Sequence, residues 1–379
     1  MVDYKLIKVI KYVLNPSCDE AITIDDWKAL IDSARSNGLL PCLAYFCQNL
    51  ADEKKPKDEI WGFFKKVLIQ STVLSVNQMS AVDEMTNCFE ENGIYNLIVK
   101  GTKTKMRYPD EVLRSMGDID ILYKTEQHKQ VYELMMNELH YDTYEEGRKN
   151  DTYTKNKYIM VEAHRQLVST ESEYIDYLES VWDRAVPCKD KTYTYEMIIE
   201  DEFIYNIIHL VEHFKQGGVG IRFIMDIWVY NNIPMNHDYL KNELEKLNLY
   251  DFYITISQLA EYWFGNGKST DLLEKLGEFI CSSGIFGNRE NVSAMIVNES
   301  GGKLMTFIKS CFPNYKAMVS LYPWLEKCPI LLPIAWIIRI FRGLTKKKAT
   351  VRVQLKNIKD GDTQKGKELR EFYKECGLK

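Results

Sequence analysis

Along the first 92 residues the apolar positions recur at helical spacing. MVDYKLIKVIKYVL alternates lysine with apolar residues, Asp25 or Asp26 offers a cap for the run WKALIDSARSNGLLPCLAYFCQNL, and a longer amphipathic stretch covers 58–91. The polar DEKKPKDE between the last two reads as a loop. At Ile94 the rhythm changes. IYNLIVKG and GDIDILY are short and β-rich, and TEQHKQVYELMMNELH predicts a helix. YDTYEE and YIMVEAHRQL read as an antiparallel hairpin joined by a long polar loop, EEGRKNDTYTKNK. Past residue 172 the pattern is helical again: EFIYNIIHLVEHFKQ, a glycine-rich break GGVG, IRFIMDIWVYNN, and amphipathic segments up to residue 310. From 345 the chain is Lys-rich and weakly patterned, which predicts a surface helix and a frayed end. The expected class is α+β. A mixed-sheet core at 93–170 with flanking helices lies between a helical region, 1–92, and a helical domain, 171–310, followed by a helical extension and tail, 311–379.

Composition narrows the field. A chain of 379 residues with 45% hydrophobic content can bury a substantial core in two or three domains. Its net charge of −5 supplies no global basic field, so long DNA or RNA is a disfavoured partner. Cys18, Cys42, Cys47, Cys88, Cys188, Cys281, Cys311, Cys328 and Cys376 are odd in number and never spaced Cys-x-x-Cys, which fits reduced thiols and a cytoplasmic location. The N-terminus lacks the uninterrupted apolar stretch and small-residue cleavage site of a signal peptide. Residues 328–338 are uncharged but too few to cross a membrane. Around them, 329–348 has two readings: a buried helix capped by solvated lysines, which is favoured, or weak contact with a membrane surface. The 39 Tyr and Phe residues read as core, since no basic stripe lies beside them for base stacking.

Candidate chemistry concentrates in the middle region. In a strand, residues two apart face the same way, so Asp118 and Asp120 share one side of GDIDIL while Ile119 and Ile121 face the core. The same alternation places Met160, Glu162 and His164 together; should that strand lie beside GDIDIL, Glu162 becomes a third carboxylate. Three such acids around a pair of Mg²⁺ ions are what in-line phosphoryl or nucleotidyl transfer requires. Upstream, Gly101 and Thr102 sit where a strand turns into a helix and could offer N–H groups and a hydroxyl to a triphosphate, with Lys100, Lys103, Lys105 and Arg114 as nearby positive charge.

In order, Lys-Gly-Thr at 100–102, Arg-x-x-Gly-Asp-Ile-Asp-Ile-Leu at 114–122 and Val-Glu-x-His at 161–164 resemble the DNA polymerase β-like nucleotidyltransferase superfamily. More narrowly, the chain is similar to a group of largely uncharacterised bacterial nucleotidyltransferases. In that group an Asp-Trp-x-x-Leu helix, here in DDWKALIDSARSNGLLP, precedes the core, and a helical region with His, Gly, Arg and Asp, here HLVEHFKQGGVGIRFIMDI, follows it. The similarity covers roughly residues 20 to 265. This chain departs in having Gly-Thr rather than Gly-Gly or Gly-Ser, and in the fifteen residues between Thr102 and Asp118, slightly beyond the usual spacing.

The resemblance implies a minimal nucleotidyltransferase core that moves an NMP from an NTP, with ATP the expected donor, to a hydroxyl-type acceptor: a small molecule, a sugar or a protein side chain. Asp118, Asp120 and Glu162 would hold two Mg²⁺ ions, with Mn²⁺ as the alternative. Gly101 and Thr102, with Lys100, Lys103 and Arg114, would hold the phosphates, and His164 would orient Glu162 or touch phosphate. The helical region would contribute a cleft wall of His209, His213, Arg222 and Asp226, the last two paired one turn apart. Two rivals remain: a non-catalytic nucleotide-binding module, and a zinc hydrolase using HLVEH at 209–213 with Glu243 or Glu245 as third ligand.

Overall fold

The computed structural model describes residues 3–15, 22–147, 149–156, 158–283, 288–345 and 348–378; Cys18 lies outside them. Among the described residues seven strands make one mixed sheet: β1 Asn96–Val99, β2 Ile119–Tyr123, β3 Thr143–Glu145, β4 Asn150–Lys155, β5 Ile159–His164, β6 Val186–Pro187 and β7 Thr194–Glu196. Their order is β3-β4-β5-β2-β1-β7-β6, with β2/β5 and β1/β7 parallel and the other neighbours antiparallel.

Period-two alternation divides the apolar side chains between two layers. Ile98, Ile119, Ile121, Val161 and Ala163 pack with Ala81, Val82, Met85 and Phe89 from the C-terminal half of the long helix Asp58–Glu91. Leu97, Val99 and Leu122 belong instead to a core shared with Phe203, Ile204, Ile207 and Ile208 of the helix Ile199–Lys215. The sheet is therefore a middle layer, and any polar side chain on the face of Leu122 looks toward the second helix. This second core runs without a break from Leu6 in the first helix, Tyr4–Leu14, to Leu378.

The N-terminal pattern resolves into more pieces than its periodicity suggested. Asp26 accepts from the Ala29 N–H at 3.0 Å and caps Trp27–Ser36. Gly38, at φ +69°, turns the chain into a separate helix, Leu40–Gln48, while Asp25 pairs with Lys5 at the surface. The break at GGVG is tight packing as well as a turn. Gly218 has φ +115°, and a Cβ there would lie 2.1 Å from Ser283 Oγ.

Three expectations are corrected. The polar stretch read as a loop contains β4, the strand between β3 and β5. Its inward positions, Asp151 and Tyr153, are fully buried, but one is an acid neutralised by Arg165 at 3.2 Å, so the alternation was invisible as hydrophobicity. The tail does not fray, because the helix Thr363–Glu375 docks Leu369 and Tyr373 in the core and Tyr373 Oη donates to the Phe214 carbonyl at 3.0 Å. Last, the helix Leu332–Thr345 is not buried: Ile334, Ile337 and Phe341 are all at least half exposed. No helix among the described residues is long and apolar enough to cross a membrane.

Candidate active site

Strands β2 and β5 run parallel with Asp120 opposite Glu162 and Leu122 opposite His164. Since Ile119, Ile121, Val161 and Ala163 take the opposite face, this register stacks Asp120, Glu162 and His164 on the side of the Ile199–Lys215 helix. Asp118 lies one residue before β2 begins. Ligand atoms of Asp120, Glu162 and His164 all lie within 4.8 Å of one another, the one group of three metal-capable side chains among the described residues.

The charges are strongly coupled. His164, fully buried, places Nε2 2.7 Å from Asp120 Oδ1 and 3.4 Å from Glu162 Oε2. Its Nδ1 is buried without a hydrogen-bond partner among the described residues. Burial pushes its pKa down, against the pull of Asp120, so the ring is neutral near neutral pH and its Nε2–H donates to Asp120. Lys100 Nζ lies 3.1 Å from the same Oδ1. The chain reaches that position at the end of β1, where Val99 faces Asp120, by turning Lys100 to φ +46°, a left-handed backbone that is strained for a side chain of this size. Burial alone would raise the Asp120 carboxyl, but the Lys100 ammonium and the His164 hydrogen bond hold it below the usual carboxylate range. Asp118 and Glu162 go the other way, both raised by burial and then by the Asp120 charge. Repulsion among these buried and half-buried hard-oxygen donors is relieved by a divalent cation, so the donor set fits Mg²⁺ or Mn²⁺.

The expected phosphate loop is placed differently. Gly101 abuts Met116, whose Sδ would lie 3.1 Å from a Cβ there, and the buried Thr102 hydroxyl donates to that sulfur at 3.4 Å. Lys103 pairs with Glu196 at 2.9 Å. Arg114 is buried in a bidentate pair with Asp226, Nε and Nη2 each 2.9 Å from a carboxylate oxygen, and Tyr108 Oη donates to the same acid at 2.6 Å. The Arg222–Asp226 pair expected from helical spacing is thereby corrected: a bidentate partner from another element takes the carboxylate, and Arg222 Nη1 donates to the Ser115 carbonyl at 3.2 Å.

What faces the acids instead is partly a set that sequence reasoning missed. Lys149, just before β4, interacts electrostatically with Glu162 and Asp120, and its pKa is lowered by burial and then by Lys100. Tyr205 lies under Lys100, whose Nζ is 5.7 Å from the ring centre. Nothing in the local pattern marked Lys149, because it sits in the polar stretch read as a connector. Among the expected residues, Arg222 acts on Asp118 and His209 acts on Asp120. His209 and His213 are pushed down by burial and then by Lys100, with rings edge-on at 4.5 Å. The zinc set does not assemble: Glu212 accepts from Ser172 at 2.9 Å, and Glu243 and Glu245 pair with Lys246 and Lys241.

The family model for uncharacterised nucleotidyltransferases matches residues 24–265 of the chain. No curated protein and no solved structure matches it.

Proposed function

The chain belongs to this family of uncharacterised nucleotidyltransferases, and on that premise we propose that it transfers an NMP from an NTP, ATP being the expected donor, to a hydroxyl-type acceptor. The acceptor oxygen attacks the α-phosphorus, the bond between the α-phosphorus and its bridging oxygen breaks, and pyrophosphate leaves. The observation that supports this reading most is the parallel register that sets Asp120 against Glu162 beside Asp118.

Asp118, Asp120 and Glu162 are the residues that would hold two Mg²⁺ ions, which when bound neutralise charge on the attacked phosphate and lower the pKa of the attacking hydroxyl. Glu162, its carboxyl raised above the usual carboxylate range by burial and then by the Asp120 charge, takes the acceptor's proton. His164 fixes the Asp120 carboxylate and keeps it ionised. Lys100, Lys149 and Arg222 provide the positive charge for the triphosphate, in place of Lys103 and Arg114, which are paired elsewhere. His209 and His213 line the helical wall as neutral rings. The free thiols of all the described cysteines suit an enzyme of the cytoplasm.

One observation favours a second reading. The Lys100 ammonium on Asp120 supplies a charge that a metal would otherwise provide, as in a module that binds nucleotide without turning it over. Calorimetric titration with a non-hydrolysable ATP analogue, with and without Mg²⁺, in wild type and Asp118→Asn separates the two. Mg²⁺-dependent binding lost in the variant, together with pyrophosphate release when NTP and a metabolite extract are supplied, is the expected result. Binding indifferent to Mg²⁺ and to Asp118 selects the non-catalytic module, and no binding of any nucleotide overturns both.

A further inference from the structure

Charge in this chain is unevenly distributed. Between 303 and 359 there are twelve Lys or Arg and a single acid, Glu326, giving +11 in a chain of net −5, so the remaining residues carry −16. The same segment holds the exposed apolar surface. Fourteen of the twenty-three exposed large hydrophobic side chains among the described residues lie within 304–355.

These side chains form faces. In the helix Leu332–Thr345, Ile334, Ile337, Ile338 and Phe341 follow the i, i+3, i+4, i+7 spacing of one helical stripe, and all are exposed, while Ala335 on the other side is fully buried. In the helix Lys303–Cys311, Leu304, Phe307 and Ile308 repeat the pattern, with Thr306 buried behind them. The two helices are tied together. Phe312 packs edge-on against Trp336, Trp336 Nε1 donates to the Pro313 carbonyl at 2.9 Å, and Arg339 donates to the Ser310 carbonyl at 2.7 Å. The small cluster of Met318, Tyr322, Leu325 and Ala335 backs the helix Leu332–Thr345. The apolar faces are thus held outward by a folded unit, at exposures of 68% for both Ile337 and Phe341.

We propose that residues 303–345 and 348–359 form an interfacial module that seats the chain on an anionic lipid bilayer, its apolar faces at the headgroup boundary and its basic residues against the acidic headgroups. Charge decides between occupants. Phosphate backbones of nucleic acid match the basic residues but leave the Ile and Phe faces in water. A second copy docked patch to patch would set +11 against +11. An anionic membrane satisfies both features at once. The helices lie on the surface and do not cross it, consistent with the absence of a crossing helix among the described residues.

The test is co-sedimentation of the full chain with vesicles of phosphatidylcholine alone, and of phosphatidylcholine with about a third phosphatidylglycerol, at low and high salt. Ile337→Glu/Phe341→Glu, at positions whose exposure spares the fold, is the comparison, with circular dichroism as the folding control. The expected result is binding to the anionic vesicles, at least tenfold weaker to neutral ones, reduced by salt and reduced at least tenfold by the variant. Absence of vesicle binding overturns the proposal, as does binding that the variant leaves unchanged. A dimer in light scattering that the variant dissociates, without vesicle binding, assigns the faces to a second copy. Nucleic-acid binding without vesicle binding assigns the charge to a polyanion. Nucleotide titration of the same variant stays at the wild-type value, so the catalytic reading stands or falls separately.

Discussion

Lys100→Met removes the ammonium from Asp120 and keeps most of the side chain's volume. The two charges lie 3.1 Å apart with side-chain exposures of 11% and 7%, and Coulomb's law at an effective dielectric of about 20 gives an attraction of about 5 kcal/mol. Measured losses on removing one partner of a buried pair run about 3–5 kcal/mol. Because His164 still donates to Asp120, the lower end, about 3 kcal/mol, is the expected loss of stability in urea unfolding near neutral pH. That is a large part of a typical total of about 5–15 kcal/mol. The pH dependence also weakens. In the wild type the Asp120 carboxyl is held below its usual range, so it contributes stability above the unfolded value of about 3.9 that is lost as pH falls through the folded value. Without Lys100, burial is opposed chiefly by the His164 hydrogen bond, so the folded pKa rises from its depressed value and the stability lost on acidification shrinks. Mg²⁺ no longer competes with an ammonium, so it should stabilise the variant more than the wild type in a melting assay. An unfolding free energy within about 1 kcal/mol of wild type, a typical effect for an ordinary point mutation, together with an unchanged response to Mg²⁺, refutes the reasoning.

The remaining predictions concern three other places. Asp118→Asn removes a carboxyl whose pKa is raised by burial and by Asp120; the penalty it relieves is absent below about pH 3.9, builds as pH rises and is full above the raised pKa, so the metal-free variant gains stability at neutral pH, and Mg²⁺ binding by calorimetry is lost. Asp226→Asn leaves Arg114 buried without its counter-charge and should cost about 3–5 kcal/mol in urea unfolding; a loss under about 1 kcal/mol rejects a structural role for the pair. Tyr373→Phe forfeits one hydrogen bond to the Phe214 carbonyl and should cost about 1 kcal/mol, whereas Tyr373→Ala also opens a cavity and should cost about 3–5 kcal/mol. Equal effects of the two substitutions on unfolding contradict a docked tail.

Local chemistry was readable wherever one strand or helix sufficed to express it. The alternation of GDIDIL and of YIMVEAHRQL sorted Asp118, Asp120, Glu162 and His164 from the apolar positions between them, because strand geometry fixes which residues share a face. The helical stripes at the N-terminus and in 199–215 were equally plain. Partner choice was not. Arg114 and Arg222 are both near Asp226, but only packing between elements presents a bidentate fork to that carboxylate, and a sequence carries no distance between helices. Lys149 reaches the acids because β4 adds to the sheet beside β5, a pairing hidden by the buried acid Asp151. The tail's apolar positions, Leu369, Phe372, Tyr373 and Cys376, keep helical spacing but are diluted among lysines and glutamates, and it took the groove beside Phe214 to make them core. Which residues share a face, and which acids stand together along a strand, could be read from residue order alone, since covalent geometry sets those periods. Which cations meet those acids, and which apolar faces stay in water, emerged with the packed fold, since both depend on contacts between segments far apart in the chain.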